Sequence, residues 1–194
     1  MADSFAALTP TLELCNDDLE ALVAALADEQ GLARKQARRC LVRQGDRAVV
    51  LLITALTDRN PTMRMEAAEA LLYIASPLAA PALVEALDDR EFGVRWLAAE
   101  ALIALKCDGL PALLEGITRH SDSLWFRQAA HHVLHDHYCE RWRSQLRPVL
   151  AALGERVGED TAPVAAGEVL ERYLAREGTA GASGTWHETA GGTL

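Results

Sequence analysis

The stretch Leu83-Val-Glu-Ala-Leu87, followed by Val94-Arg95-Trp-Leu-Ala98-Ala-Glu-Ala-Leu102, decides the fold. In its second run the apolar residues Val94, Ala98, Ala101, Leu102 and Leu105 fall at i, i+4, i+7, i+8 and i+11, one stripe of a helix. A polar turn separates the two runs, so the unit is two helices and a turn. The same unit precedes it twice, as Leu22–Leu26 with Ala33-Arg34 to Leu41 and as Leu52–Leu56 with Met63-Arg64 to Leu71. It follows once more as Leu113–Ile117 with Phe126-Arg127 to Leu134. A weaker fifth copy, Val149–Leu153 with Ala162-Pro163 to Leu170, has a proline in the arginine slot. The arginines recur at intervals of 30, 31 and 32 residues. A fixed period of this size marks an array whose units bury a core only by stacking. The expected fold is therefore all-α: a solenoid of about five helix pairs in a right-handed superhelix. The pairs are expected over residues 17–46, 47–77, 78–108, 109–140 and 143–177, within one domain covering 1–177.

Composition agrees. Of 194 residues, 50% are hydrophobic, mostly Ala and Leu, and only 5% are aromatic, which argues against a β-sandwich. The formal charge is −9, the wrong sign for a dedicated nucleic-acid binder. No apolar run is long enough for a membrane span, and Met1 to Thr11 carries no secretory pattern. Cys15, Cys40, Cys107 and Cys139 are scattered without a CxxC, which predicts reduced thiols and a cytoplasmic protein. Cys107 and Cys139 share a repeat position, but stacked helix axes ~8–10 Å apart are too distant for an unstrained disulfide. Residues 178–194, rich in Gly and Thr, read as a flexible tail.

Local signals place the helix ends. Asp17 with Glu20 predicts a capping box for the first helix. Gly45, Gly109 and Gly154 are expected at helix ends, where a left-handed glycine is cheap. Pro61, Pro77 and Pro163 are expected at or just before helix starts, and Pro81, Pro111 and Pro148 near the start of first helices. Asp28/Arg34, Asp58/Arg64 and Asp89/Arg95 are each six apart. The aspartate can cap the second helix, and the arginine can bond the aspartate or the turn carbonyls. This predicts an internal ladder that sets repeat register.

The pattern Leu-x-x-Ala-Leu-x-Asp to Val-Arg-x-x-Ala-Ala-x-Ala-Leu, closest over Leu83–Leu105, resembles the short HEAT-like repeats of phycobilin lyase subunits and their relatives. The resemblance runs from Leu19 to Glu177. It implies the solenoid and, as an alternative function, a lyase-like or tetrapyrrole-chaperoning subunit, although the cysteines follow no nucleophile pattern. Some HEAT-like proteins are di-iron deoxyhypusine hydroxylases with a His-Glu dyad just after the repeat arginine. Those slots here read Lys35-Gln36, Met65-Glu66, Trp96-Leu97 and Gln128-Ala129, which disfavours that chemistry. HEAT-like DNA glycosylases use extensive basic surfaces. Here the basic cluster is confined to Arg34, Lys35, Arg38, Arg39, Arg43 and Arg47, an end cap or a dock for an acidic segment or nucleic acid, and nucleic acid is disfavoured by the acidic remainder.

One arc of each second helix faces away from the core and is expected to line the concave side. It carries Lys35, Arg39 and Val42, then Met65, Glu69 and Leu72, then Trp96, Glu100 and Ile103, then Gln128, His132 and His135, and ends at Glu168 and Glu171. An apolar patch of Met65, Leu72, Trp96 and Ile103 beside Glu69 and Glu100 marks a site for a protein or peptide partner. The expected function is a non-enzymatic scaffold or adaptor without a cofactor. A metal site is the second alternative: His131 and His135 are i,i+4, and His132 can approach Glu100 across the groove. His137 falls at a core position.

Overall fold

The computed structural model describes residues 18–136, 140–154 and 158–182. The protein is an all-α solenoid, with no strand among the described residues. Its helices are α1 (Leu19–Ala24), α2 (Gly31–Gln44), α3 (Asp46–Ala55), α4 (Pro61–Ile74), α5 (Ala80–Ala86), α6 (Phe92–Leu105), α7 (Leu110–His120), α8 (Leu124–Asp136), α9 (Arg143–Gly154) and α10 (Gly158–Ala182). Short 3₁₀ turns join several of them. Among the described residues no helix is long and apolar enough to cross a membrane.

The second helices α2, α4, α6 and α8 stack on one another in one layer. In the other layer α1 packs on α3 and α5 packs on α7. Small residues make the close stacking possible: Ala37, Ala67, Ala98 and Ala130, each three residues after the repeat arginine, are all buried. Leu41, Leu71, Leu102 and Leu134 run along the core beside Leu26, Leu56, Leu87 and Ile117, and all are buried. Each such side chain contributes ~1.5–3 kcal/mol. Gly116 in α7 is required by space. A Cβ there would lie 2.3 Å from Val84 Cγ1 of α5 and 3.1 Å from Cζ of the fully buried Phe126.

The arginine ladder takes a regular form. Arg34 Nη1 donates to the Asp28 and Glu29 carbonyls at 2.7 and 3.1 Å. Arg64 Nη1 donates to those of Asp58 and Arg59 at 2.9 and 3.2 Å. Arg95 Nη1 donates to those of Asp89 and Arg90 at 2.7 and 3.2 Å. Arg127 Nη1 reaches those of Ser121 and Asp122 at 2.5 and 3.4 Å. In every case one guanidinium clamps the carbonyls six and five residues back. The aspartates close the same turns, since Oδ1 of Asp28, Asp58 and Asp89 accepts from the backbone N–H two residues on at 2.7, 2.7 and 2.8 Å. They shape the turn rather than cap the helix. The cap of α4 is Asn60, which accepts from Thr62 N–H at 2.9 Å.

Between repeats the same arginines find carboxylates. Arg64 grips Asp89 of the next repeat with both arms, Nε to Oδ2 at 2.7 Å and Nη2 to Oδ1 at 2.9 Å. Hydrogen bonding to Asp89 raises the Arg64 pKa; burial opposes the rise, and the charges of Asp89, Glu91 and Asp58 add to it. Arg34 reaches Glu66 at 3.3 Å, and Arg38 bridges Glu66 and Glu69.

Several local expectations need correction. The N-cap of α1 is Asp18, which accepts from Ala21 N–H at 3.1 Å; Asp17 lies outside the described residues. Gly45 does end α2 with a φ of 57°, but Gly109 has a φ of −82° and Gly154 is the last residue of α9. Positive φ falls instead on Ala75 and Lys106, at 52° and 53°, where α4 and α6 end. Pro61 opens α4, and Pro81 and Pro111 lie in first turns, whereas Pro148 and Pro163 lie inside α9 and α10 because those helices begin further upstream. Cys40 and Cys107 are disulfide-bonded, not reduced thiols. Cys15 and Cys139 lie outside the described residues, and the expectation of free thiols fails on Cys40 and Cys107 alone. With it goes the argument from thiols for a reducing compartment.

The last pair departs from the others. α9 packs on α8, and α10 packs on both α9 and α7. The layers have exchanged: α9 extends the second-helix layer and α10 covers the first-helix layer. Pro163 fills the arginine slot here and brings no guanidinium to that position. Glu168 and Glu171 thus do not prolong the arc of α2 to α8. α10 also runs to Ala182, into the stretch read as tail, and the rest of that stretch lies outside the described residues.

Candidate functional site

Where α6 meets α8 the second-helix layer exposes a group of aromatic side chains, Phe92, Trp96 and Trp125. Trp96 on α6 is 47% exposed, and its indole stacks on the His132 ring of α8, with centroids 5.0 Å apart and planes 19° from parallel. Phe92, at the first position of α6, lies 6.2 Å from Trp96 between ring centroids. Trp125 faces them from the first turn of α8. The Arg95 guanidinium lies over both Phe92 and Trp125, 5.7 and 4.8 Å from the ring centroids. Its Nη1 clamp to the turn carbonyls fixes it there. These side chains, with Gln128, enclose a shallow cleft of about 180 Å³.

A polar rim follows one turn along. His132 Nε2 is 3.3 Å from Glu100 Oε1, and its Nδ1 is 3.4 Å from Asp136 Oδ2. His135 Nδ1 is 2.9 Å from Asp136 Oδ1. That hydrogen bond lowers the Asp136 pKa, with the nearby charges of His132 and His135 adding to the effect and slight desolvation opposing it. The predicted approach of His132 to Glu100 is present.

The predicted site residues divide. Trp96, Glu100, Gln128 and His132 come together at the cleft and its rim, with the exposed His135 beside them. Met65 is exposed and projects toward α6, its Sδ 3.0 Å from where a Cβ on Gly93 would be. Leu72 and Ile103 are half-buried against the core, so they are poor anchors. Glu69 is engaged by Arg38 at 2.8 Å. The metal candidates do not assemble. His131 stacks on His135, with centroids 6.2 Å apart, and turns toward Gly154, while His132 turns toward Glu100. Among the described residues no group of three or more His, Cys, Asp or Glu could hold a metal ion. His137 lies outside the described residues.

Phe92, Arg95 and Trp125 were not singled out from the sequence for this surface. Phe92 stands three residues before its repeat arginine, where Gly31 and Pro61 stand elsewhere; Trp125 stands two before, in the slot of Thr62 and Gly93. The remaining repeats carry Leu124 and Leu32 in these slots, so a ring where the other repeats have none was the available signal. Phe92 is i−4 to Trp96 and Trp125 is i−3 to Gln128, so both continue the predicted arc one turn upstream of its first residues.

Residues 19–103 match the family model for HEAT repeats. The match spans the first three helix pairs almost to the end of α6 and supports a HEAT-like repeat protein; the narrower resemblance to phycobilin lyase subunits is not part of it. No curated protein matches the chain significantly.

Proposed function

We propose that this chain is a non-enzymatic binding scaffold that takes a protein or peptide segment on the exposed face of the α2–α4–α6–α8 layer. The observation that carries this reading is the aromatic cleft of Phe92, Trp96 and Trp125, left open on the surface of an otherwise well-packed solenoid. Exposed rings held in place by stacking and by Arg95 lose little side-chain entropy on binding, which is why Trp and Arg dominate binding hot spots. Glu100, Gln128 and His132 supply a polar rim that can fix orientation. HEAT repeats commonly mediate protein–protein interaction, which supports the same reading.

The test is selection of a displayed peptide library on the purified protein. Selected peptides should bind the parent chain and lose about tenfold or more in affinity against Trp96→Ala or Trp125→Ala, while helicity by circular dichroism stays unchanged. Equal affinity for parent and variants would sink the proposal. So would unfolding of Trp96→Ala, since Trp96 would then be a core residue.

A further inference from the structure

The opposite end of the layer carries a different chemistry. α2 holds Arg34, Lys35, Arg38, Arg39 and Arg43 and no acidic residue, in a chain whose formal charge is −9. Arg34 and Arg38 are used internally, against Glu66 and Glu69. Lys35, Arg39 and Arg43 are exposed and make no ion pair among the described residues. At i, i+4 and i+8 they form one stripe ~12 Å long. Like charges at this spacing repel one another, and a ligand of opposite charge relieves that repulsion.

The stripe borders a groove of about 780 Å³ whose apolar lining includes Leu32, Val42 and Tyr73. Leu32 and Tyr73 are 79% and 63% exposed. The single acid among the described lining residues, Glu69, is tied to Arg38. Three cations with no ion pair among the described residues along one wall, and exposed apolar side chains beside them, ask for a ligand that is both acidic and apolar. Neighbouring cations are ~6 Å apart along the helix, close to the ~6.8 Å between alternate residues of an extended strand. A nucleic-acid backbone fits poorly. The cations that border this groove lie on one helix, and further along the same layer a phosphate chain would meet Glu100 and Asp136.

We propose that this groove docks an extended acidic segment of a partner protein, with Asp or Glu at alternate positions and apolar side chains between them. It rests on the scaffold reading above and adds to it the charge class of the ligand at this end of the layer.

A fluorescein-labelled peptide Glu-Leu-Glu-Phe-Glu-Leu-Glu, followed by fluorescence anisotropy, tests it. The peptide should bind the parent chain more tightly than heptaglutamate or a single-stranded DNA oligonucleotide of matched charge. Binding should weaken with added salt and fall about tenfold or more in Lys35→Glu/Arg39→Glu/Arg43→Glu. Lys35→Gln/Arg39→Gln/Arg43→Gln, which creates no new charge, should show a smaller loss in the same direction. Leu32→Ala/Tyr73→Ala should lose several-fold, and Trp96→Ala should bind as the parent does. Failure of the peptide to bind at all, equal or tighter binding of the oligonucleotide, or insensitivity to the charge variants would each overturn the proposal. Loss in Trp96→Ala with the charge variants unaffected would remove this groove and leave the aromatic cleft standing.

Discussion

The junctions along one helix layer are held by two different devices. From α2 to α6 each step is crossed by a guanidinium: Arg34 and Arg38 to Glu66, then Arg64 to Asp89. From α6 to α8 the crossing is made on rings instead of carboxylates, with Trp96 on His132, the Arg95 guanidinium over Trp125, and Glu100 at the edge of the His132 ring. The first device is mostly shielded from solvent and directional; the second is half-exposed and leaves a cleft. A bidentate ion pair fixes the relative rotation of two repeats, because its two hydrogen bonds tolerate little displacement. A stack of half-exposed rings tolerates sliding. The comparison therefore separates a rigid part of the array from a part suited to receiving a ligand.

The largest effect is expected where the rigid device is broken. Arg64→Ala leaves Asp89 without its partner and the carbonyls of Asp58 and Arg59 without their clamp. It should lower stability by about 3 kcal/mol, read from urea denaturation midpoints. Arg64→Met with Asp89→Leu removes the buried charge on both sides and should recover part of the loss. What remains reports the carbonyl clamp together with the turn bond from Glu91 N–H to Asp89 Oδ1. If Arg64→Ala costs no more than a surface substitution, the ion pair does not hold this junction.

How much of this was legible follows from the same residues. The period of the arginines and their reach to the turn depend only on contacts within one repeat, so spacing alone revealed them. Which carboxylate an arginine meets in the next repeat depends on the offset between repeats. That is why Asp89 and Glu66, not a uniform set, are the partners. Leu72 and Ile103 looked exposed on an ideal helical projection, yet the neighbouring helix covers them in part. Phe92 and Trp125 lie on the projected face, i−4 to Trp96 and i−3 to Gln128, but one turn before the repeat arginine, upstream of where the predicted arc begins. The exchange of layers at α9 and α10 had one visible trace, Pro163 in the arginine slot. The chain direction after α8 is set by tertiary packing that no single repeat encodes.

Between the two repeats that the rings join, close packing in the first-helix layer should matter next. Gly116→Ala places a methyl 2.3 Å from Val84 Cγ1 and against the buried Phe126, so α7 must shift from α5. A loss of about 2 kcal/mol is expected, smaller than for Arg64→Ala, with retained helicity. A neutral outcome would show that α5 and α7 can separate freely, and with that the contrast in rigidity would weaken. Glu66→Gln comes next. Its carboxylate serves both Arg34 and Arg38, but those arginines keep some access to solvent. About 1 kcal/mol is expected, shrinking as salt is raised, whereas the loss at Arg64 should be nearly salt-independent.

The smallest effect belongs to Asp136, on the exposed rim of the ring-held junction. Hydrogen bonding from His135 lowers its pKa in the folded chain. A depressed carboxylate pKa means that folding favours the ionised form. The stabilisation is present above the unfolded-state value of about 3.9 and is lost as pH falls through the folded value. Asp136→Asn removes this contribution at all pH values. The melting temperatures of parent and variant should therefore differ slightly near neutrality, begin to converge below the unfolded-state value of about 3.9, and meet only once pH has fallen through the lower folded value, where the parent's own Asp136 is protonated. A difference that persists unchanged into acid would mean that Asp136 acts through shape rather than charge. The rim would then be held by packing, as the rings above it are, and His132 would owe its orientation to Trp96 rather than to the carboxylates on either side.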